Sequence, residues 1–316
     1  MRALITGATG FIGQRLLERI DEPVVLSRHA DAARRKLGKA EVHEWDLMAG
    51  PPPAEAFQGV EAVFHLAGEP VAEGRWNVDK KRRIRDSRKI GTMNLVKRLE
   101  QLSERPPVLV SASAVGYYGS RGEEVLDESA PPAHDFLAEV CIAWEQAAQQ
   151  AAGFGVRVVN PRIGIVLGSG GGALDKMLLP FKLGLGGRLA SGKQWMPWIH
   201  LDDLVGLFLH AASHQEVSGP MNAVAPKPVT NREFTRTLAS ALHRPAIFPA
   251  PAAALKLAVG EFAEVLLASQ RVVPRVAEQT GYAFQYPELA GALQAILHGA
   301  SSSTRAGRTH EPVGSQ

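Results

Sequence analysis

Met1-Arg2-Ala3-Leu4-Ile5-Thr6-Gly7-Ala8-Thr9-Gly10-Phe11-Ile12-Gly13 is the stretch whose reading decides the fold. A short run, Ala3 to Thr6, stops at three glycines spaced three apart, after which Leu16, Leu17 and Ile20 recur at helical spacing. The pattern is strand, tight turn, helix. Gly7 lets the backbone leave the strand sharply, Gly10 lets main chain approach a pyrophosphate, and Gly13 lets the helix lie against the sheet. Unpaired N–H groups at Thr9, Phe11 and Ile12 then face the phosphates at the positive end of the helix. The same turn with no ligand is the plain alternative; a strand before it and a helix after it favour a dinucleotide.

Working outward, 316 residues suffice for two domains, or for one large α/β domain with a lobe. Apolar residues make up 45% and charged residues 21%, as in an ordinary soluble globular chain, and a net charge of +3 does not argue for nucleic acid. The single cysteine, Cys141, excludes an internal disulfide and fits a reducing compartment. With the first strand starting at residue 1, no cleaved leader is expected. Lys256, Glu261 and Glu264 interrupt the most apolar stretch, Pro249 to Ala268, so no membrane span is expected. A cytoplasmic protein is the reading.

Further strands follow at Val24–Leu26, Glu41–Trp45, Val60–Leu66, Val108–Val110 and Val156–Ile163. Ser27-Arg28-His29 closes the second strand without a carboxylate. An NAD site usually places one there for the ribose 2′-hydroxyl, whereas a cation suits a 2′-phosphate, so Ser27 and Arg28 point to NADP, with NAD as the alternative. A solvated Arg28 is the bland reading. Asp46 is either an adenine-side contact or a turn residue. Leu66-Ala67-Gly68-Glu69 ends the fourth strand with small residues that let a cofactor cross the sheet edge, and Glu69 stands beside it as a contact or a solvated loop carboxylate.

Residues 75–89 hold eight Lys or Arg. Interleaved Asp79 and Asp86 and the lack of stacking aromatics favour a wet helical face over a nucleic-acid surface, with Ile84, Gly91, Leu95 and Leu99 turned inward. Gly116-Tyr117-Tyr118-Gly119 follows the fifth strand, where open sheets bind ligands. A helix is expected over about Asp135–Ala152. Gly168 to Gly172 reads as an active-site border, lid or plain connection. Asp202 is the expected cap of a helix ending near Ser213, Thr230-x-x-Glu233 is a capping box, and Pro287 fits the first turn of a last helix.

Together these segments resemble the extended short-chain dehydrogenase/reductase superfamily, in its epimerase-like branch with a C-terminal domain of unknown function. The resemblance runs from Met1 to about His298. It rests on the glycine turn, Leu66-Ala67-Gly68-Glu69-Pro70 with Arg75-Trp76, Gly116-Tyr117-Tyr118-Gly119, Lys176-Met177 through Gly184-Leu185-Gly186-Gly187, and Pro197-Trp198-Ile199-His200. It implies an α/β fold, a Rossmann-like doubly wound parallel sheet with a smaller C-terminal α/β substrate lobe. The cofactor domain would take 1–165 with a return at about 197–225, the substrate lobe 166–196 and 226–299, and a disordered tail 300–316. Pro161 joins the cofactor contacts by the same match, and Ser113 is the catalytic serine it implies.

One element is missing. Superfamily members with hydride chemistry carry Tyr-x-x-x-Lys on the helix after the fifth strand. Anchored on Glu145, those slots hold Leu137 and Cys141, and no Tyr-x-x-x-Lys occurs anywhere in the chain. Tyr117 or Tyr118 is expected to replace the proton-shuttling phenol, with Arg121 lowering the pKa of Tyr117. The expected function is an NAD(P)-dependent oxidoreductase or epimerase-like enzyme acting on a small polar or sugar-nucleotide-like substrate. The alternative is a non-catalytic NADPH-binding sensor or partner-binding protein. A small-molecule substrate and at most a second copy of the chain, as a homodimer, are the partners expected, with no nucleic acid, membrane or metal.

Overall fold

The computed structural model describes residues 1–299, so the tail expected to be disordered lies outside the described residues. The strands are β1 (Arg2–Thr6), β2 (Glu22–Ser27), β3 (Glu41–Glu44), β4 (Ala62–His65), β5 (Val108–Ser111), β6 (Ser113–Ala114), β7 (Val125–Leu126), β8 (Arg157–Ile163), β9 (Ile165–Leu167), β10 (Trp195–Met196), β11 (Trp198–His200), β12 (Gly219–Ala223), β13 (Val229–Thr230) and β14 (Arg271–Val272). The main sheet runs β3-β2-β1-β4-β5-β8-β12, parallel throughout. Its order reverses at β1, which places a crevice at the carboxyl ends of β1 and β4.

Parallel strands covered on both faces read as unbroken apolar runs, and β1 shows why. Ala3 and Ile5 pack with Phe64, Val110 and Val159 against α1 (Phe11–Leu17) and, on the same face, against Leu204 and Phe208 of the return helix. Leu4 faces the other way, with Val63, Leu109 and Val158, onto Leu95, Leu99 and Ala148. The helices in chain order are α1, α2 (Ala30–Leu37), α3 (Val78–Gln101), α4 (Phe136–Gln149), α5 (Gly172–Lys182), α6 (Leu201–Ser213), α7 (Asn231–Ala241), α8 (Ala252–Val259), α9 (Phe262–Leu267), α10 (Arg275–Gln279) and α11 (Leu289–His298). On α3 the expected stripe of Ile84, Gly91, Leu95 and Leu99 is buried. A third core joins α5, α7 and α11 through Leu174, Phe181, Phe234, Leu238, Leu293 and Trp198.

Two local expectations change. His200, not Asp202, caps α6: its Nδ1 accepts the Asp202 N–H at 3.0 Å, while the Asp202 carboxylate pairs with Arg15 on α1 at 2.6 Å. Pro287 precedes Glu288, the cap of α11, and so stands outside its first turn. The glycine run after β9, read as an active-site border that is a lid or a plain connection, gains a packing reason. A Cβ at Gly168, Gly171 or Gly172 would stand 2.7–2.8 Å from the ring of Phe11, so the loop is glycine-rich because it wraps the first residue of α1. The Thr230–Glu233 capping box forms as read.

Candidate active site

The first turn is built from backbone constraints. Gly7 has φ +75°, and a Cβ on it would meet the backbone of Leu66 and Ala67 at 3.0 Å; on Gly13 it would meet Gly7 O at 2.2 Å. Gly10 is different: its nearest neighbour would be Gly7 O at 3.3 Å, so close approach of a ligand remains the main demand for glycine there. Among the described residues the N–H groups of Phe11, Ile12 and Gly13 take no backbone or capping partner, which leaves a row of donors at the crevice. The carbonyl of Thr9 accepts from the Gln14 side chain and from Lys36 Nζ, each at 2.9 Å, so α2 braces the loop.

Below the turn, Thr6, His65 and Ser111 form one row across the ends of β1, β4 and β5. Thr6 Oγ1 accepts the N–H of both Leu66 and Ala67 at 3.1 Å and has one proton left, which it donates to His65 Nδ1 at 2.8 Å. The ring's Nε2–H then donates to Thr92 Oγ1 at 3.0 Å. Burial, with the charge of Arg88 adding to it, pushes the His65 pKa down to about 3, so the ring is a neutral strut that holds the end of β4 against β1 and α3. Gly68 lies beside Arg88: its Cβ would meet the guanidinium carbon at 3.3 Å.

At the adenosine side, Arg28 is exposed and makes no hydrogen bond or ion pair among the described residues. It lines a recess with His29, Arg35 and Glu44. Ser27 Oγ accepts the His29 N–H at 3.3 Å, and one Asp46 oxygen accepts the Met48 N–H in a tight turn. Glu69 sits where expected in the chain, but its carboxylate is committed to Lys80 at 2.9 Å and Arg83 at 3.3 Å, the first cause of its lowered pKa being the Lys80 hydrogen bond. That ties its carboxylate to α3. Pro161 is buried in β8 opposite Met221.

The end of the cleft at β5, β6 and β8 is built from side chains. β6 continues β5 in the same register, which pins Ser113 opposite Arg162. Ser113 Oγ donates to Glu145 Oε1 at 2.6 Å, and Glu145 receives Arg162 bidentately at 2.9 Å on each oxygen. Arg162 also donates to Tyr118 Oη at 2.9 Å, and that hydroxyl donates to Asn222 at 2.7 Å. Tyr118 is wholly buried, and burial pushes its pKa up to about 12 against the opposing pull of Arg162 and Asn222. This corrects the expectation that Tyr118 shuttles a proton: its hydroxyl is spent inside the wall.

Tyr117 differs. Its ring lies 3.5 Å from the Arg162 guanidinium, half-buried, and its hydroxyl has no partner in the chain among the described residues. Arg121 is held by Glu124 at 2.7 Å, so the cation at Tyr117 is Arg162 and not Arg121 as expected. Leu137 and Cys141, the residues read into the two slots, both face Gly116, 3.2 and 3.8 Å from its Cβ position. Burial raises the Cys141 thiol to about 12, with Glu145 adding to the rise. Arg88 reaches this spot from α3, part-buried, 4.9 Å from the Trp144 ring and bonded only to the carbonyls of Glu69 and Ile84. Sequence reasoning missed Arg88, Arg162 and Asn222; a cation on an inward turn of α3 and an arginine inside a buried strand were the available signals.

Residues 3–224 match the NAD dependent epimerase/dehydratase family and residues 250–296 a domain of unknown function, DUF1731. The chain belongs to the NAD-dependent epimerase/dehydratase family. Within it, the chain is 41% identical over 311 residues to the epimerase family protein SDR39U1 homolog, chloroplastic, of Arabidopsis thaliana, covering 94% of this chain and 87% of that one. It is 38% identical to the epimerase family protein SDR39U1 of Homo sapiens, over 94% of this chain and 100% of that one. Among solved structures, the human epimerase family protein SDR39U1 (isoform2) with NADPH superposes with a TM-score of 0.85 at 37% identity, covering 94% and 99%. A UDP-glucose 4-epimerase from Thermotoga maritima, at 17% identity and a TM-score of 0.75, shares the fold. The chain is thus an SDR39U1-like member of the family, with the Rossmann-like α/β fold expected.

Proposed function

We propose that the protein is an NADP(H)-dependent oxidoreductase or epimerase-like enzyme acting on a small polar substrate with a hydroxyl or carbonyl, in the manner of a sugar nucleotide. The observation that carries the reading is Arg28, unpaired among the described residues at the carboxyl end of β2 in a recess shared with Arg35, together with a glycine turn that presents three amides without a partner among those residues. The amides of Phe11, Ile12 and Gly13 suit a diphosphate, and Arg28 with Arg35 suits a 2′-phosphate; that the human relative was crystallised with NADPH supports this. Glu44 in the same recess is the group that would serve an NAD ribose. The bound nucleotide supplies the hydride acceptor or donor.

At the other end the chain's own groups would handle the substrate proton. The buried Ser113 hydroxyl donates to Glu145, which leaves its oxygen lone pairs as the acceptor that would orient a substrate hydroxyl. Tyr117 is the phenol left to exchange a proton, its ring held by Arg162, while Arg88, whose charge acts on Cys141, would supply a fixed cation. The direct test is titration with NADPH and NADH, followed by hydride-transfer assays on sugar nucleotides and small carbonyl compounds. NADPH is expected to bind at least about tenfold tighter than NADH, and Arg28→Ala to erase the difference. Equal affinities in the wild type would end the NADP assignment.

A second reading has its own observation. Leu137 and Cys141 in the tyrosine and lysine slots, with the Ser113 proton directed into the wall, suit a protein that binds NADPH without turning it over. NADPH retained unoxidised across the whole substrate panel selects it.

A further inference from the structure

The second lobe carries a surface that the cofactor cleft does not use. Segments 184–190 and 245–250 run side by side, joined by Phe248 N–H to Gly186 O at 3.3 Å and by Ala190 N–H to Ala250 O at 2.8 Å. At and beside this seam Leu179, Leu183, Leu185, Ile247 and Phe248 stand 54–71% exposed, although the chain buries most of its large apolar side chains. Such a grouping marks a contact surface rather than scattered exposure.

The charge around it is one-sided. A chain with 35 basic and 32 acidic residues has no Asp or Glu between 176 and 201 or between 234 and 260, whereas those segments hold Lys176, Lys182, Arg188, Lys193, Arg236, Arg244 and Lys256. Elsewhere Lys80, Lys81, Arg83 and Arg15 each meet a carboxylate, yet none of these seven does among the described residues. Arg188, Arg232 and Arg236 converge on a recess floored by Ala239, Ala246, Ile247 and Pro249. Two of them are held in place, since Arg188 and Arg232 both donate to Ser191 O at 2.8 and 3.3 Å. Ala190 and His243, the non-glycine residues with positive φ among those described (+48° and +51°), each lie within a few positions in sequence of a residue lining the recess.

We propose that this face of the second lobe docks on an anionic lipid surface, with the arginine recess taking a headgroup phosphate and Ile247 and Phe248 entering the acyl boundary. Charge complementarity selects that occupant over a second copy of the chain, because two such faces would bring like charges together. Among the described residues no helix is long and apolar enough to cross a membrane, so the attachment is to the surface, and it departs from the expectation of no membrane partner.

The test is sedimentation of the full chain with phosphatidylcholine vesicles, with and without about one-third phosphatidylglycerol. Retention is expected only on the anionic vesicles, at about 0.05 M salt, and to be lost at about 0.5 M. Arg236→Ala is expected to weaken it about fivefold, the equivalent of one basic residue near the surface, and Ile247→Glu with Phe248→Glu to abolish it with NADPH binding unchanged. No retention on anionic vesicles, or retention indifferent to the double substitution, overturns the proposal. So does a wild-type dimer that the double substitution converts to monomer, and so does protection of the recess by soluble glycerol phosphate in a protein that ignores vesicles.

Discussion

The two ends of the cleft are made of different material. At β1 the geometry is held by main chain: Gly13 is forced by a carbonyl 2.2 Å from where its Cβ would be, and Gly7 by the backbone of Leu66 and Ala67 at 3.0 Å. At β5, β6 and β8 it is held by side chains, Ser113 to Glu145 to Arg162 to Tyr118 to Asn222, spread over more than a hundred residues of sequence. Backbone constraints tolerate no change of residue at the constrained position, whereas a side-chain network can exchange members as long as charge and hydrogen bonds still close. That difference explains how the family's turn persists here beside a reaction end without Tyr-x-x-x-Lys.

The sharpest way to break the comparison is at the glycines. Gly13→Ala places a methyl inside contact distance of Gly7 O and of Ala8 Cα at 2.7 Å, atoms that move only if α1 leaves the sheet. NADPH affinity is expected to fall more than about a hundredfold together with a loss of several degrees in Tm. Gly10→Ala is the companion: its methyl meets only Gly7 O at 3.3 Å, so Tm stays near wild type while NADPH binding drops. Calorimetry of both variants with and without NADPH reads the two effects separately, and a Gly10→Ala protein that binds NADPH normally would show that no diphosphate crosses there.

The same contrast governs what the sequence made legible. The strand–turn–helix pattern at the start, the apolar runs of the strands, the inner stripe of α3 and the Thr230–Glu233 box each show in residues close together in sequence, and the structure forms them. The wall at β5, β6 and β8 was not legible in that way, because Arg162 finds Glu145 and Tyr118 only after β8 pairs with β6, and because Tyr117 and Tyr118, adjacent in sequence, point to different environments. Phe11 and the glycines at 168–172 are a second case: a loop that reads as an active-site border, lid or plain connection owes its glycines to packing around a residue over a hundred and fifty positions away.

Substituting the two tyrosines sharpens that point. Tyr118→Phe strands Asn222 Oδ1 and one Arg162 N–H in a buried wall and is expected to cost about 1–3 kcal/mol of stability. Tyr117→Phe removes a hydroxyl that bonds nothing among the described residues, so denaturant midpoints should not move, while turnover on whichever substrate is accepted falls about 10²-fold or more. Equal turnover for Tyr117→Phe and wild type would take the proton-exchange role from Tyr117.

The smallest expected effect tests the strut between the two ends. His65 is buried and neutral, with a pKa pushed down to about 3, while in the unfolded chain it titrates near 6.5. Between those values the unfolded state holds the extra proton, so stability falls as pH falls, and this contribution is fully present only above about pH 6.5. From pH 7 to pH 5 the one ring accounts for about 2 kcal/mol of lost stability. His200 and His210, also lowered by burial, add to the slope of the wild type, which is why the measurement is a difference. His65→Asn is expected to be less stable at pH 7, having lost the bonds to Thr6 and Thr92, and the gap to wild type should narrow by about 2 kcal/mol by pH 5. A gap that stays constant across that range would mean that the folded protein accepts the proton on His65. The bond from Thr6 Oγ1 would then have to reverse, and with it the hold on the Leu66 and Ala67 amides that lines up β4 with the glycine turn.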